Sequence, residues 1–191
     1  MKAVAFNGSV RPGGNTEAML RKVLSVLEAG GVETELVQVG GIPIRGCRAC
    51  GVCKKLKNKK CVYAQDIVND SIAKIDGADA VIFGSQSYFM NVTSEMKAFI
   101  DRVGVVCRAN GGILRRKVGA AVSAQRRAGA DMAIASMNCM MLMSEMYVVG
   151  STYLNMGFGL DKGDIDSDAE CMDTLQTLGE NILYALRKFN S

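Results

Sequence analysis

The opening stretch of the chain restricts its fold more than any other. Lys2 to Phe6 is a short apolar run rich in Val and Ala, and Asn7 to Asn15 is a loop of Gly, Asn, Ser and Pro. Thr16 to Ala29 then sets Met19, Val23, Val26 and Leu27 at helical spacing and stops at Gly30-Gly31. Strand, glycine loop, helix is the first unit of an α/β domain.

The unit recurs along the chain. Thr34 to Val39, Ala80 to Phe83, Lys117 to Val122 and Tyr147 to Val149 read as further strands. Ile67 to Ile75, Ser94 to Val106, Met132 to Met146 and Leu175 to Phe189 read as helices. The Ala80 run is apolar throughout, as a strand is when helices cover both faces of its sheet. The pattern predicts a three-layer, doubly wound sandwich around a five-stranded parallel sheet of order 2-1-3-4-5. No linker or repeat divides the chain, so residues 1–191 are expected to form a single domain. One segment breaks the alternation, a cysteine-rich insertion from Gly41 to Gln65. Connections this long are often functional.

Charge and composition exclude several classes. The net charge of +4 permits an acidic partner but does not supply the concentrated basic face that nucleic acid demands. No apolar run reaches the ~18 residues of a membrane span, and Asn7-Gly8 breaks the N-terminal run too soon for a secretory signal. The expectation is a cytoplasmic protein with no nucleic-acid or membrane partner, whose seven cysteines stay reduced. The absence of His removes Ser-His-Asp and Cys-His machinery and every His-ligated metal.

The first loop, Gly8 to Thr16, has the chemistry of an anion cradle. Its glycines let backbone N–H groups approach, and the following helix points its positive end at the same spot. Ser9, Asn15 and Thr16 add hydrogen bonds and Arg11 adds charge. A Walker loop would need Lys at its end, and a dinucleotide fingerprint would need G-x-G-x-x-G; neither is present.

Two more loops leave strand ends. Gly84 to Thr93 carries Tyr88 and Phe89 among hydrogen-bonding residues, and Ser123 to Gly129 holds the equivalent place on the next strand. Ligands of open α/β sheets bind outside the carboxyl ends of strands. A flat heteroaromatic ring there needs an apolar wall and a few polar groups at its edge.

The stretches GSVRPGGNT, GSQSYFMNVTSEMKAFIDR and SAQRRAG…VVGSTY resemble the NAD(P)H-dependent FMN reductase and iron–sulfur flavoprotein family. The resemblance runs through almost the whole chain and implies a flavodoxin-like fold. It implies that Ser9, Val10, Arg11, Asn15 and Thr16 hold the FMN phosphate. It also implies that Gln86, Ser87, Tyr88, Phe89, Met90 and Asn91, with Ser123, Gln125, Arg126, Arg127 and Gly129, flank the isoalloxazine. Gln86 stands where the family usually shows Pro, and Gly129-Ala130-Asp131 where it shows Gly-Gln-Glu. A homodimer or homotetramer is implied as well.

Cys47, Cys50, Cys53 and Cys61 follow the spacing C-x2-C-x2-C-x7-C. Three cysteines in successive x2 steps wrap one compact inorganic core, with the fourth thiolate closing the cage. Structural zinc instead takes two separated C-x2-C pairs. The triplet favours a 4Fe–4S cluster, with zinc and free redox-active thiols as alternatives. Lys54, Lys55, Lys57, Lys59 and Lys60 lie between the last two cysteines and offset the negative charge of such a site, steer an acidic carrier, or are simply solvated. Cys107, Cys139 and Cys171 read as small buried apolar residues, and the Met-rich helix near Met132 as core or subunit contact.

The expected activity is that of an FMN-dependent oxidoreductase moving electrons between NAD(P)H, or a reduced ferredoxin-like carrier, and a small-molecule or protein acceptor. Alternatives are an electron carrier that ignores nicotinamides and a zinc-stabilised α/β anion-binding module. No side chain is marked as a catalytic acid or base.

Overall fold

In β1 (Lys2–Asn7), side chains alternate between two cores. Ala3 and Ala5 face one helical layer, and Val4 and Phe6 face the other. The computed structural model describes residues 1–189, so the last two residues of the expected domain lie outside the described residues. The other strands are β2 (Glu33–Gln38), β3 (Ala80–Gln86), β4 (Val118–Gln125), β5 (Tyr147–Val148) and β6 (Met156–Phe158). The helices are α1 (Asn15–Ala29), α2 (Val52–Leu56), α3 (Val68–Asp76), α4 (Ser94–Ala109), α5 (Ala130–Met143) and α6 (Ala169–Phe189).

The sheet is parallel with order β2-β1-β3-β4-β5, the expected order. α1 and α6 cover one face through residues such as Leu20, Val23, Leu175 and Ile182. α3, α4 and α5 cover the other through Ile72, Phe99, Val103 and Met137. Phe6 stacks on Phe83 at 5.7 Å between ring centroids and meets Phe99 at 4.8 Å, which ties β1, β3 and α4 at the centre of that layer. The fold is flavodoxin-like.

Three expectations are corrected. The sheet has six strands rather than five, because the edge next to β4 is broken in two. β5 pairs with Val118 and Gly119, and β6 with Ser123 to Gln125. α5 begins at Ala130 and ends at Met143, and Cys139 on it is exposed, whereas Cys107 and Cys171 are buried as expected. α6 begins at Ala169, before the apolar spacing that marks its second half. Among the described residues no helix is long and apolar enough to cross a membrane.

Candidate functional site: a cleft at three strand ends and a four-cysteine cavity

The register aligns Asn7 with Gly84 and Gly84 with Val122, so the segments leaving β1, β3 and β4 emerge side by side. They enclose a cavity of about 130 Å³. Ser9, Arg11, Asn15 and Thr16 line it from the first loop, Gln86, Ser87 and Tyr88 from the second, and Gln125 and Arg126 from the third. Gly159 and Leu160, just beyond β6, complete the wall.

The helix end that meets this cavity has no side-chain cap, because its N-cap residue is Gly14. First-turn N–H groups of a helix carry partial positive charge and want an acceptor. Thr16 Oγ1 is buried there without a hydrogen-bond partner among the described residues, and so is Gln86 Oε1. An orphaned buried polar atom costs about 1–3 kcal/mol, which a bound group offsets. The FMN phosphate would accept from Thr16, and a ring N–H would donate to Gln86. The residues present therefore fit FMN.

The first loop is held from below. Gln38 Nε2 donates to the carbonyls of Ser9 at 2.6 Å and Gly40 at 2.7 Å, while Asn7 Nδ2 donates to Gln38 Oε1 at 2.8 Å. The Gly13 N–H donates to the Glu17 carboxylate at 2.6 Å. That bond, opposed by partial burial and aided by Arg21, holds the Glu17 carboxyl below its ordinary pKa.

Arg11 and Asn15 turn toward the segment after β6. Arg11 donates to the Leu160 carbonyl at 2.9 Å, Asn15 Nδ2 donates to the Asp161 carbonyl at 2.9 Å, and the Gly163 N–H donates to Asn15 Oδ1 at 3.1 Å. Lys162 Nζ stands 2.7 Å from where a Cβ on Gly13 would sit. This wall and its lysine lie in a stretch that reads as plain loop; the Gly157-Phe158-Gly159 pattern at a strand end is the signal that marks it.

The second loop closes on itself. The Tyr88 N–H donates to the Asn91 carbonyl at 2.8 Å and the Asn91 N–H returns the bond to Tyr88 at 3.0 Å. Phe89 and Met90 between them both have positive φ, 45° and 67°. Two-residue turns of this kind normally use Asn-Gly, and each non-glycine residue there costs on the order of 1–3 kcal/mol. The turn holds Phe89 fully exposed. Phe89, Met90 and Asn91 do not line the cavity, and neither does Val10.

The third loop starts later than expected. β4 continues through Gln125, so Ser123 is a fully buried strand residue whose N–H donates to the Asn155 carbonyl. Gln125 Oε1 accepts the Ala130 N–H at 2.9 Å at the start of α5. Gly129 sits at φ 94°, and a Cβ there would come within 2.9 Å of Met90 Cα. Only glycine lets the second and third loops pack this closely. Arg127 and Gly129 lie outside the cavity lining.

Cys47, Cys50, Cys53 and Cys61 all line a second cavity, of about 220 Å³. Val105, Val106 and Tyr63 supply apolar wall, while Arg45, Arg48, Lys54 and Arg102 surround it with positive charge. Cys61 is pinned to α3 by reciprocal bonds with Asn69, at 2.8 Å and 3.0 Å. Among the described residues no group of three or more Cys, Asp or Glu side chains is arranged to hold a metal ion. A single zinc would need its sulfurs about 3.8 Å apart, from Zn–S bonds of about 2.3 Å in a tetrahedron. A 4Fe–4S cluster takes four cysteine thiolates, the number that this cavity collects. The residues present therefore fit a four-thiolate centre.

The model of the NADPH-dependent FMN reductase family matches residues 1–161. An iron–sulfur flavoprotein of Methanocaldococcus jannaschii is 32% identical over 98% of both chains. One of Methanosarcina thermophila is 33% identical over 83% of this chain and 81% of its own. A WrbA-like flavodoxin from Agrobacterium tumefaciens shares the fold, with a TM-score of 0.67 at 14% identity over 98% of this chain and 97% of that one. On the family match and on relatives aligned over four fifths or more of their length, this chain belongs to the NADPH-dependent FMN reductase family.

Proposed function

We propose that this chain, an FMN oxidoreductase by family, moves electrons between NAD(P)H or a reduced carrier and an acceptor, with FMN at the three-strand cleft and a 4Fe–4S cluster on Cys47, Cys50, Cys53 and Cys61. Bound FMN supplies hydride and single-electron transfer, and the cluster supplies single-electron transfer. The observation that carries the flavin site is the buried, unpartnered Thr16 hydroxyl at an uncapped helix N-terminus. The relatives named iron–sulfur flavoproteins and the shared cysteine cavity support the cluster.

The chain's own residues bind and orient. The first turn of α1, with Thr16 and Ser9, takes the phosphate. Gln86 accepts from the ring edge, and half-exposed Tyr88 gives a flat wall at the rim. Among the described residues the cleft is lined by no Asp, Glu or Cys, and the role of these side chains is to position the flavin.

Protein prepared without oxygen should bind one FMN and about four irons with matching acid-labile sulfide per chain. Rapid mixing with NADPH and NADH then identifies the donor by loss of flavin absorbance. Failure to take up FMN would sink the flavin reading, and zinc in place of iron would sink the cluster.

A further inference from the structure

Arg102 is the largest fully buried side chain, 2% exposed, and it borders the four-cysteine cavity beside Cys61. Its guanidinium is paired with buried Asp66. It also donates to the Tyr63 carbonyl at 2.6 Å and the Arg45 carbonyl at 3.3 Å. It thus holds the chain just before Cys47 and just after Cys61. The ring of Tyr63 lies against both guanidinium groups, 5.3 Å from Arg102 and 5.5 Å from Arg45.

One nitrogen is left over. Arg102 Nε is buried and has no hydrogen-bond partner among the described residues. A buried N–H without an acceptor is costly and rare. Four cysteine sulfurs line the same cavity. Arg102 and Cys61 line it together, which sets the guanidinium beside the cysteine that closes the set.

Resting on the cluster reading above, we propose that Arg102 tunes the cluster: its Nε–H donates to the sulfur of Cys61 or to a sulfide of the bound cluster and raises the reduction potential. Hydrogen bonds to cluster sulfurs, nearby charge and solvent exposure set such potentials. Each added electron makes the core more negative, so an N–H donor on a guanidinium whose charge Asp66 only partly offsets favours the reduced form. Arg102 would act on the cluster alone and touches no substrate.

The test uses the full chain, reconstituted anaerobically with iron and sulfide, in wild-type, Arg102→Lys and Arg102→Gln/Asp66→Asn forms. Lysine keeps the charge and the Asp66 pair but has no Nε–H fork; the double variant removes both charges and leaves neither partner stranded. Iron counts and FMN content verify assembly, and an EPR-monitored redox titration reads the potential. Arg102→Lys should keep its iron while its reduced-to-oxidised ratio at fixed potential falls about tenfold, which is 59 mV for one electron. The double variant should fall at least as far. Unchanged potentials at full iron content would overturn the proposal. A folded, FMN-loaded variant that loses iron would assign Arg102 to cluster retention and also overturn it. Wild-type protein that takes up no iron would bring down the cluster reading and this one together.

Discussion

The Thr93 hydroxyl donates to the Gly8 carbonyl at 2.9 Å, across 85 residues of sequence. The same oxygen accepts the Met96 N–H at 3.3 Å and so caps α4. The Thr93 N–H is itself held by Ser85 Oγ at 3.1 Å. One buried side chain therefore joins the start of the first loop to the helix that follows the second, and fixes the spacing between the two walls of the cleft.

Replacing Thr93 by Ala should lower stability by about 2 kcal/mol, from the lost cap and from a buried carbonyl left without its donor. Thr93→Ser should recover most of it. Urea denaturation of the two variants checks this, and FMN affinity should follow the same order because Gly8 leads into the anion loop.

Thr16 should behave in the opposite way. Its hydroxyl is buried without a partner in the free protein, so Thr16→Val removes a polar group that nothing satisfies. The FMN-free variant should be as stable as wild type or more so, by up to about 1 kcal/mol, while FMN binding should weaken about tenfold. Melting curves with and without FMN separate the two effects. A loss of stability in the free protein would mean the hydroxyl has a structural partner.

Much of this was legible in the sequence for definite reasons. β1, β3 and β4 are buried on both faces, so they show as mostly apolar runs, and Gly8 marks where the first loop begins. β6 was not legible, because three residues carry no periodicity and its pairing depends on the course of residues 149–155. The first turns of α6 are mostly polar or small and hide its start. Cys139 read as buried, but α5 is apolar nearly all round, so spacing could not say which side faces water. Cysteine spacing gave the four residues that share a cavity. It could not give Arg102, which is distant in sequence and looks like any other helical arginine.

The thiols should divide by burial. Burial, with Asp76 nearby, pushes the Cys107 thiol up to about 12, and burial beside Asp168 pushes Cys171 up to about 12. Thiolate is the reactive form, so both should resist iodoacetamide at pH 8 in the folded, metal-free protein. Cys47, Cys50 and Cys139 are exposed and should be alkylated. Peptide mass spectrometry before and after denaturation reads the pattern, and labelling of Cys107 in the folded protein would contradict the core packing of α4.

Gly129 should tolerate no side chain. Alanine there would adopt a left-handed φ and press on the backbone of Met90. Gly129→Ala should cost about 2 kcal/mol in stability, measured by urea denaturation. It should also weaken FMN binding, because the second and third loops can no longer close together.

Glu17 gives the anion loop a pH dependence. The Gly13 N–H, against partial burial and with help from Arg21 and Lys162, lowers its carboxyl pKa below the ordinary 4.5. A carboxylate with a lowered folded pKa stabilises the protein fully above its unfolded value. That stabilisation is lost as pH falls through the folded value. Stability of the FMN-free protein should therefore hold from pH 7 to about 5 and decline as pH drops below 4.5. Glu17→Gln should be less stable than wild type at pH 7, with the difference shrinking toward pH 3 as the wild-type carboxylate is protonated. Urea midpoints across that range measure it, and a constant gap between the two proteins would show that the Gly13 bond does not depend on the charge.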